Sequence, residues 1–151
     1  MVINIANATR TSQYSPVDME KCAASSSYTS GYDAKYFRES MNHALLTAVV
    51  TCDKAVRGVC VCKNSLIPDS CEVEMISISE LYRSSGLGRK LLSHALRNMR
   101  TLKFRTAFIW VNEHNTQAVR FFTRFGFTPD GKSRVSRERA QGEEVRLRID
   151  I

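Results

Sequence analysis

The sequence predicts an α/β fold, in the α+β sense, in which a mixed, twisted sheet of six to seven strands carries about four helices. Three observations predict it. β-rich runs follow one another in the middle of the chain, over residues 44–51, 56–62 and 72–79. After them, apolar residues at helical spacing alternate with a further β-rich run at 104–111. Runs of strands together with strand–helix–strand crossovers imply antiparallel and parallel pairs in one sheet.

The N-terminal half of the chain is predicted to hold one strand and two helices before a hairpin. Residues 2–6 alternate weakly and predict the first strand, and residues 16–24 and 33–43 predict helices. The two β-rich runs that follow are separated by a short polar turn, so they are expected to pair as a hairpin. Gly58, inside the second of these runs, predicts a bulge or a close approach by another group.

Two amphipathic helices are predicted in the C-terminal half. From residue 87, apolar residues recur at helical spacing up to about Arg100. The second helix follows Asn115, a favoured N-cap, and Gly126 is placed to end it in the left-handed conformation. Phe121 and Phe122 are adjacent on this helix, so helical geometry requires one of them to lie in the core.

The chain is predicted to end in two more strands. Residues 129–131, which read PDG, predict a turn, and residues 132–139 predict a basic strand. Residues 145–151 alternate between apolar and charged side chains, as in a strand with one solvated face. The last strands leave an open sheet edge, so the sequence allows a homodimer without deciding for one.

Composition limits the class of protein. The chain has 151 residues, of which 43% are hydrophobic and 25% charged, as expected for a single globular domain over residues 1–151. No apolar run approaches the roughly 20 residues that span a bilayer, and no signal peptide is visible, so we expect a cytoplasmic protein without a membrane partner. Five cysteines without a CxxC pair predict reduced, buried thiols. Three scattered histidines offer little for a metal site, so no metal is expected.

The charge is distributed unevenly along the chain. Residues 1–75 carry 7 Lys and Arg and 8 Asp and Glu, whereas residues 76–151 carry 15 and 7. A basic half of this kind favours an anionic ligand, which could be a nucleotide, a nucleic acid or an acidic surface. No recognised nucleic-acid motif supports a nucleic-acid-binding domain, which is the least favoured of these readings.

A glycine-rich loop joins the third long strand to the first C-terminal helix. Residues 83–88 read RSSGLG, and the predicted helix begins within this loop. Glycine lets the backbone approach a ligand closely, and the helix N-terminus directs N–H groups and a positive dipole end at the loop. The sequence therefore predicts an anion site suited to phosphate.

Two well-known phosphate loops do not fit these residues. The dinucleotide fingerprint needs a third glycine three residues after Gly88, where this chain has Leu91. The Walker loop needs GK followed by Ser or Thr, and the chain has no such run.

The loop and a second segment together resemble a known family. RSSGLG is similar to the R/QxxGxG/A loop of the GNAT superfamily, the acyl-CoA-dependent N-acyltransferases. Residues 115–122, NTQAVRFF, with the GF at 126–127, resemble that family's NxxAxxxY…GF helix, and residues 56–59 resemble its strand with an apolar–glycine step. The resemblance covers residues 36–127 best.

The resemblance implies a binding site for acetyl-CoA. It implies that the fourth and fifth strands, at about 71–79 and 104–111, splay apart and hold the cofactor between them. Backbone amides of the loop would hold the pyrophosphate, and main chain at residues 76–78 would pair with the pantetheine arm. The expected cofactor-binding residues are Ile76, Ser77, Ile78, Arg83, Ser84, Ser85, Gly86, Leu87, Gly88, Arg89, Asn115, Phe121 and Phe122.

The resemblance also implies N-acetyl transfer to a primary amine by direct attack. Glu72 is a candidate general base, because some protein-acetylating members carry a catalytic Glu at a matching place in this strand. Glu74 is the second candidate, because it lies two residues further on and shares the face of Glu72. Many members carry a Tyr as general acid where this chain has Phe121 or Phe122. Either the thiolate leaves unassisted, or another tyrosine serves (Tyr82, Tyr36 or Tyr32), or activity is weak or lost.

The acceptor is left open by the sequence. In the resembled family, the N-terminal helices and the last hairpin line the acceptor pocket. The slightly acidic first half suits a small amine, a lysine or a protein N-terminus, whereas the basic final hairpin suits an acidic partner. A catalytically silent CoA-binding module is the alternative function, because the usual tyrosine is missing.

Overall fold

The computed structural model describes residues 1–8, 16–25, 34–135 and 142–151. Within these residues the chain forms seven strands, four α-helices and one 3-10 helix at Glu80–Tyr82. The strands are β1 (Ile3–Ala8), β2 (Leu46–Cys52), β3 (Ala55–Asn64), β4 (Ser70–Ile78), β5 (Thr106–Asn112), β6 (Thr128–Val135) and β7 (Glu143–Asp150). The helices are α1 (Pro16–Ser25), α2 (Ala34–His43), α3 (Leu87–Thr101) and α4 (Thr116–Phe125).

All seven strands belong to one mixed sheet, which confirms the predicted fold class. The strand order is β1-β2-β3-β4-β5-β7-β6. Strands β4 and β5 are parallel because α3 crosses over between them, and the other neighbouring pairs are antiparallel. The predicted order of elements along the chain is also confirmed.

The sheet splays open between β4 and β5. Their pairing is limited to Ser70–Glu72 opposite Thr106–Phe108, although β4 continues to Ile78 and β5 to Asn112. Strand β4 also contains a β-bulge, because Val73 and Met75 lie opposite consecutive residues of β3. A bulge increases local twist and bends its strand, which carries the end of β4 away from β5. The result is a wedge that opens toward the C-terminal ends of both strands.

Helices cover the two faces of the sheet and build a core on each. On one face, α3 and α4 pack over a large cluster that includes Val73, Ile76 and Phe122. On the other face, α1 and α2 pack over a smaller cluster that includes Phe37 and Met75. Side chains alternate between faces along a strand, so β2, β3 and β4 each contribute to both clusters.

The two C-terminal helices follow from their apolar periodicity. The stripe on α3 is buried as predicted, and its members are Leu87, Leu91, Leu92, Ala95, Leu96 and Met99. On α4, the Asn115 side chain accepts a hydrogen bond from the Ala118 N–H at 3.2 Å, so Asn115 is the N-cap. Gly126 ends the helix with a φ of +129°, a backbone conformation that favours glycine.

Gly58 shows both of the features predicted for it. The pairing of β2 with β3 shifts register directly beside it, between Val50 and Thr51. A Cβ at Gly58 would lie 2.6 Å from Cδ1 of Ile78 and 2.7 Å from Cγ1 of Val50. The absence of a side chain therefore lets β2, β3 and β4 pack closely at the end of the wedge.

The predicted boundary of the sixth strand was wrong. Residues 128–131 belong to β6 rather than to a turn, and the register with β7 is interrupted between Pro129 and Ser133. Gly131, with a φ of +85°, makes this irregularity inside the strand. The residues that favour a turn, 129–131, thus form a bulge within the strand. Residues 136–139 of the predicted strand lie outside the described residues.

The cysteines agree with the prediction of reduced, buried thiols. All five are free and buried, and Cys60 and Cys62 lie on the same face of β3. Burial raises the pKa of Cys71 to about 12, and the neighbouring Cys62 adds to this effect. These thiols are part of the core packing.

Candidate functional site

A groove of about 510 Å³ opens at the wide end of the wedge. It lies between the loop that follows β4, the first turn of α3 and one side of α4. Seven of the predicted cofactor-binding residues line it, namely Ile78, Arg83, Ser84, Gly86, Gly88, Arg89 and Phe121. The structure therefore brings the two sequence motifs together around one concave surface.

The loop after β4 is arranged to expose the N-terminus of α3. Gly86 is the N-cap residue with a φ of +85°, and Ser84 also has a positive φ of +62°. Gly86 offers no side chain to cap the helix, and the first turn of α3 contains no acidic residue. The Ser85 hydroxyl donates to the Tyr82 carbonyl within the loop. Helix N–H groups of the first turn lack intrahelical acceptors, so an anion in the groove would serve as their partner.

Gly88 allows α3 and α4 to approach each other across the groove. A Cβ on Gly88 would lie 3.2 Å from Cε2 of Phe121 and 3.6 Å from Cγ1 of Ile78. The Phe121 ring therefore lies against the backbone of the first turn of α3. A larger side chain at position 88 would push this ring into the groove, which explains why glycine suits this position.

Five residues that line the groove were absent from the predicted cofactor-binding set, although Tyr82 was predicted as a candidate acid. Three of them are polar residues of α4, and their spacing of three and four places them on the side of the helix that carries Phe121. Projecting α4 as a helix would have found them. The Arg89 guanidinium lies 5.3 Å from the centre of the Phe125 ring, which links the two walls. The five residues are Tyr82, Gln117, Arg120, Arg124 and Phe125.

Four arginines therefore line one groove. Arg83 and Arg89 come from the loop and the start of α3, and Arg120 and Arg124 come from α4. Together with the positive end of the α3 dipole, they make the groove suited to a ligand with several negative charges.

Six of the predicted cofactor residues have side chains directed elsewhere. Leu87 and Phe122 are fully buried in the core, and Ile76 belongs to the same cluster. The Ser77 hydroxyl donates to the Cys22 carbonyl at 2.9 Å on the opposite face of the sheet. Asn115 caps α4, and Ser85 bonds within its loop. For residues 76–78, the expected contact is through the main chain, and that contact stays a prediction.

Glu72 and Glu74 lie on the face of the sheet opposite the groove and share one cation. The Lys63 Nζ atom lies 3.1 Å from Oε2 of Glu72 and 3.3 Å from Oε1 of Glu74. The two carboxylate side chains are 15% and 9% exposed. Partial burial lowers the pKa of Lys63, but the charges of both glutamates and their hydrogen bonds outweigh this and raise it. The candidate bases thus form a cluster that can bind an ammonium group.

Tyr82 is the candidate acid that the structure places at the groove. The Arg57 guanidinium lies 5.1 Å from the centre of its ring. Tyr32 lies outside the described residues, as does the side chain of Tyr36. Phe121 takes the groove position on α4, and a phenylalanine ring has no proton to donate.

No helix among the described residues is both long and apolar enough to cross a bilayer.

Comparison with solved structures shows that the fold is a known one. The ribosomal-protein-S18-alanine N-acetyltransferase from Escherichia coli is 16% identical, with a TM-score of 0.81 over 99% of this chain and 94% of that chain. A GNAT family acetyltransferase from Elizabethkingia anophelis, solved with acetyl-CoA bound, is 14% identical, with a TM-score of 0.79 over 99% of this chain and 98% of that one.

Comparison of sequences gives a shorter match and a family. The spermine/spermidine N(1)-acetyltransferase of Bacillus subtilis is 30% identical over 69 residues, which is 45% of this chain and 45% of that protein. The match thus covers less than half of either protein. The profile of the acetyltransferase (GNAT) family matches residues 13–127, which include the wedge, the loop of the groove and α4. The chain therefore belongs to the acetyltransferase (GNAT) family.

Proposed function

We propose that this chain is an N-acetyltransferase that moves an acetyl group from acetyl-CoA to a primary amine in a ternary complex. One observation carries the proposal. The groove combines an α3 N-terminus without a side-chain cap, four arginines and a wedge beside β4. A small, flat anion site would not need the wedge, whereas a long ligand with phosphates at one end fits both parts.

The phosphate end of the cofactor suits the groove. Backbone N–H groups of residues 85–89 would bind the pyrophosphate, because they stand at the positive end of α3. The four arginines would bind or attract the phosphates, with guanidinium groups suited to planar, paired hydrogen bonds. CoA carries these charges at one end and an acyl thioester at the other, so the thioester would lie deeper in the wedge.

The pantetheine arm suits the edge of β4. Beyond Glu72, this edge faces the wedge, where β5 no longer runs alongside it. An arm with amide groups can add to an exposed strand edge as a further strand does. Main chain at residues 76–78 is the proposed partner, and Ile78 already lines the groove.

Acetyl transfer requires that the amine lose a proton. The amine nitrogen forms a bond to the thioester carbonyl carbon, and the carbon–sulfur bond then breaks with the electron pair on sulfur. Glu72 or Glu74 would take the proton of the ammonium group, directly or through water. Both carboxylates already hold the ammonium of Lys63, which shows that they can bind the protonated form of an amine.

The leaving thiolate is the second place where a proton is needed. Phe121 occupies the groove side of α4 and cannot supply it. Tyr82 lines the same groove and is the proposed acid, with unassisted departure of the thiolate as the alternative. A silent CoA-binding module is the second candidate function, favoured by the same absence of a hydroxyl at Phe121.

The test of the function has two measurements on the purified chain. Acetyl-CoA is titrated calorimetrically, and CoA release is then followed with a panel of primary amines. Binding with release that depends on an amine, and an acetylated amine found by mass spectrometry, is the expected result. No detectable binding would overturn the proposal, and binding without release for any amine would favour the silent module.

Variants then assign the base and the acid. Glu72→Gln and Glu74→Gln are each compared with wild type, and the base is the residue whose loss lowers kcat by about 100-fold at neutral pH while acetyl-CoA still binds. The rate of such a variant should recover when the pH is raised, because more acceptor is then unprotonated.

Tyr82→Phe should lower kcat about tenfold if Tyr82 is the acid, and leave it unchanged if the thiolate leaves unassisted.

A further inference from the structure

The face of the sheet opposite the groove has two chemically different sides where the wedge opens. The inference drawn from them concerns the acceptor, and it rests on the proposed acetyl transfer. The cofactor is proposed to occupy the groove on the α3/α4 face. An amine that attacks its thioester must then reach the wedge from the other face, where Glu72 lies on β4 and Phe108 on β5.

Strand register places these two sides next to each other. Glu72 lies directly opposite Phe108, and neighbouring strands are about 4.8 Å apart. After this pair the two strands diverge. Two residues further along, Glu74 stands on one side of the opening and Trp110 on the other. Glu74 lies on the face of Glu72 because both contact Lys63, and Trp110 lies on the face of Phe108 because both rings contact Arg146.

The β5 side is a stack of aromatic rings and guanidinium groups. The Arg146 guanidinium lies 4.3 Å from the centre of the Phe108 ring and 5.8 Å from that of Trp110. The Arg134 guanidinium lies 4.3 Å from the centre of the Trp110 ring. Two cations are thus held against two rings along one face of β5.

Carboxylates fix the orientation of both guanidinium groups. Nε of Arg134 donates to Oε1 of Glu144 at 2.9 Å, and Nε of Arg146 donates to Oδ2 of Asp130 at 2.6 Å. Glu144 is only 2% exposed, so its contact with Arg134 is held by the surrounding structure. The bulge in β6 positions Asp130 for the second pair. A guanidinium has five N–H donors, so one that gives Nε–H to a carboxylate keeps further donors for a second acceptor.

Arg134 is the member of the stack that is placed to meet a ligand. Its side chain is 43% exposed, whereas that of Arg146 is 17% exposed. It combines accessibility with a fixed plane, because Trp110 supports its face and Glu144 holds its edge. A guanidinium of this kind recognises a carboxylate with a defined direction.

We propose that the acceptor carries a carboxylate near its amino group, and that Arg134 is the residue that selects it. The amino group lies at Glu72 and Glu74, on the side where Lys63 now supplies the ammonium. The carboxylate lies at Arg134, across the opening of the wedge. A polyamine would bring a second positive charge to the guanidinium stack, so it fits this face poorly.

Matched acceptors test the requirement for a carboxylate. Lysine is compared with cadaverine and ornithine with putrescine, because each pair differs only by the carboxylate. A second arm compares peptides that begin with Ala-Glu and Ala-Gln, which separates a free amino acid from an acidic protein N-terminus. For at least one pair, the member with the carboxylate should show a kcat/KM at least tenfold higher.

Variants test the role of Arg134. Arg134→Gln should reduce this preference about tenfold, mainly through KM for the acceptor, and should leave acetyl-CoA affinity unchanged. Arg134→Lys keeps a positive charge beside Glu144 but loses the planar fork, and it should give an intermediate preference. Arg148→Gln is the matched control, because Arg148 lies on the same face, is 45% exposed and pairs with Asp150 at 2.9 Å near the closed end of the wedge.

The outcomes separate this inference from the proposed function. If acetyl-CoA does not bind, the proposed function fails and the inference fails with it. If acetyl-CoA binds and cadaverine, putrescine and the Ala-Gln peptide are all used as well as their partners with the carboxylate, only the inference is overturned. The same conclusion follows if no acceptor with a carboxylate is acetylated, or if Arg134→Gln and Arg148→Gln change the preference equally.

Discussion

The two faces of the sheet at the wedge are built by different means. On the α3/α4 face, the groove depends on backbone conformation and on the absence of side chains, as at Gly86 and Gly88. On the opposite face, charged and aromatic side chains contact one another across strands. Lys63 holds two glutamates, and Trp110 supports Arg134.

This difference explains what each face can recognise. A groove made of backbone N–H groups and arginines recognises phosphate groups, which every CoA thioester shares. On a face made of paired side chains, a single substitution changes one contact. Such a face therefore suits recognition of the acceptor, which differs from one acetyl-transfer reaction to another. We therefore propose that the cofactor binds on the α3/α4 face and that the acceptor is selected on the opposite face.

Two adjacent phenylalanines on α4 give the largest expected effects. Phe122 is fully buried and packs edge-to-face against Phe127 at 5.6 Å between ring centres, whereas Phe121 lines the groove. Phe122→Ala should lower the free energy of unfolding by about 3–5 kcal/mol. Phe121→Ala should cost roughly half of that, because its ring is only partly buried, and should weaken acetyl-CoA binding.

Denaturant unfolding and calorimetric titration of both variants check this contrast. A larger loss of stability in Phe121→Ala than in Phe122→Ala would contradict the assignment of one ring to the groove and the other to the core.

Arginines of the groove should affect binding rather than folding. Arg120→Gln and Arg124→Gln should each weaken acetyl-CoA binding about tenfold at low salt, because each removes a charge that faces the phosphates. Arg100→Gln, in the last turn of α3, is the control and should bind as wild type does. The affinity is measured at two salt concentrations, and a deficit that does not shrink at high salt would argue against an electrostatic cause.

On the opposite face, Lys63 should contribute to stability through its two ion pairs. Lys63→Met removes the cation that two partly buried carboxylates share, and should lower the free energy of unfolding by about 1 kcal/mol at neutral pH. The pKa of Lys63 is raised in the folded state, so this contribution is complete below about pH 10.5 and is lost as the pH rises through the folded value.

Lys54→Met in the β2–β3 turn is the control for Lys63, since Lys54 is exposed. Thermal unfolding of both variants at neutral pH and above about pH 10.5 checks the sign, because the contribution of Lys63 is lost only in the higher range. Equal effects at the two positions would show that the cluster of Lys63, Glu72 and Glu74 adds nothing to stability.

The smallest expected effect concerns the contact between β1 and α3. His94 Nε2 lies 2.7 Å from Oδ1 of Asn7, and burial, with help from the charge of Arg97, lowers the pKa of His94. The unfolded chain therefore takes up the proton first as the pH falls, so the contribution of His94 is present above about pH 6.5 and is lost below it.

Melting temperatures of wild type and His94→Gln test this at pH 7.5 and 5.5. The difference between the two proteins should shrink at the lower pH. A difference that stays constant or grows would contradict the sign of the shift.

Local patterns were enough to predict the fold and to name most of the loop residues that meet in the groove. The stripe on α3 has a clear period, and RSSGLG with Asn115 and Gly126 marks loop, cap and helix end. Arg120 and Arg124 were missed because the motif was compared residue by residue along the sequence, without asking which residues share one side of the helix. The ends of β6 were misplaced because Gly131 forms a bulge, which uses the same residues as a turn.

The opposite face could not be predicted, because its contacts join residues that are distant in sequence. Lys63 and Glu74 belong to neighbouring strands, and the contact of Trp110 with Arg134 crosses β7. Such pairs depend on register, and a shift of one residue would turn each side chain to the other face. The sequence indicates Glu72 as a candidate base, but its contact with Lys63 depends on the register between β3 and β4.

The most direct test of the central claim compares two glycines with the same φ angle. Gly86 and Gly131 both have a φ of +85°, and neither has an atom within 4 Å of an added Cβ. Glutamate at either position must adopt this left-handed φ, but only Gly86→Glu places a negative charge at the N-terminus of α3. Calorimetric titration should show Gly131→Glu binding acetyl-CoA as wild type does, and Gly86→Glu binding at least about 100-fold more weakly. Equal affinity of the two variants would contradict the account that this groove holds the phosphates of acetyl-CoA.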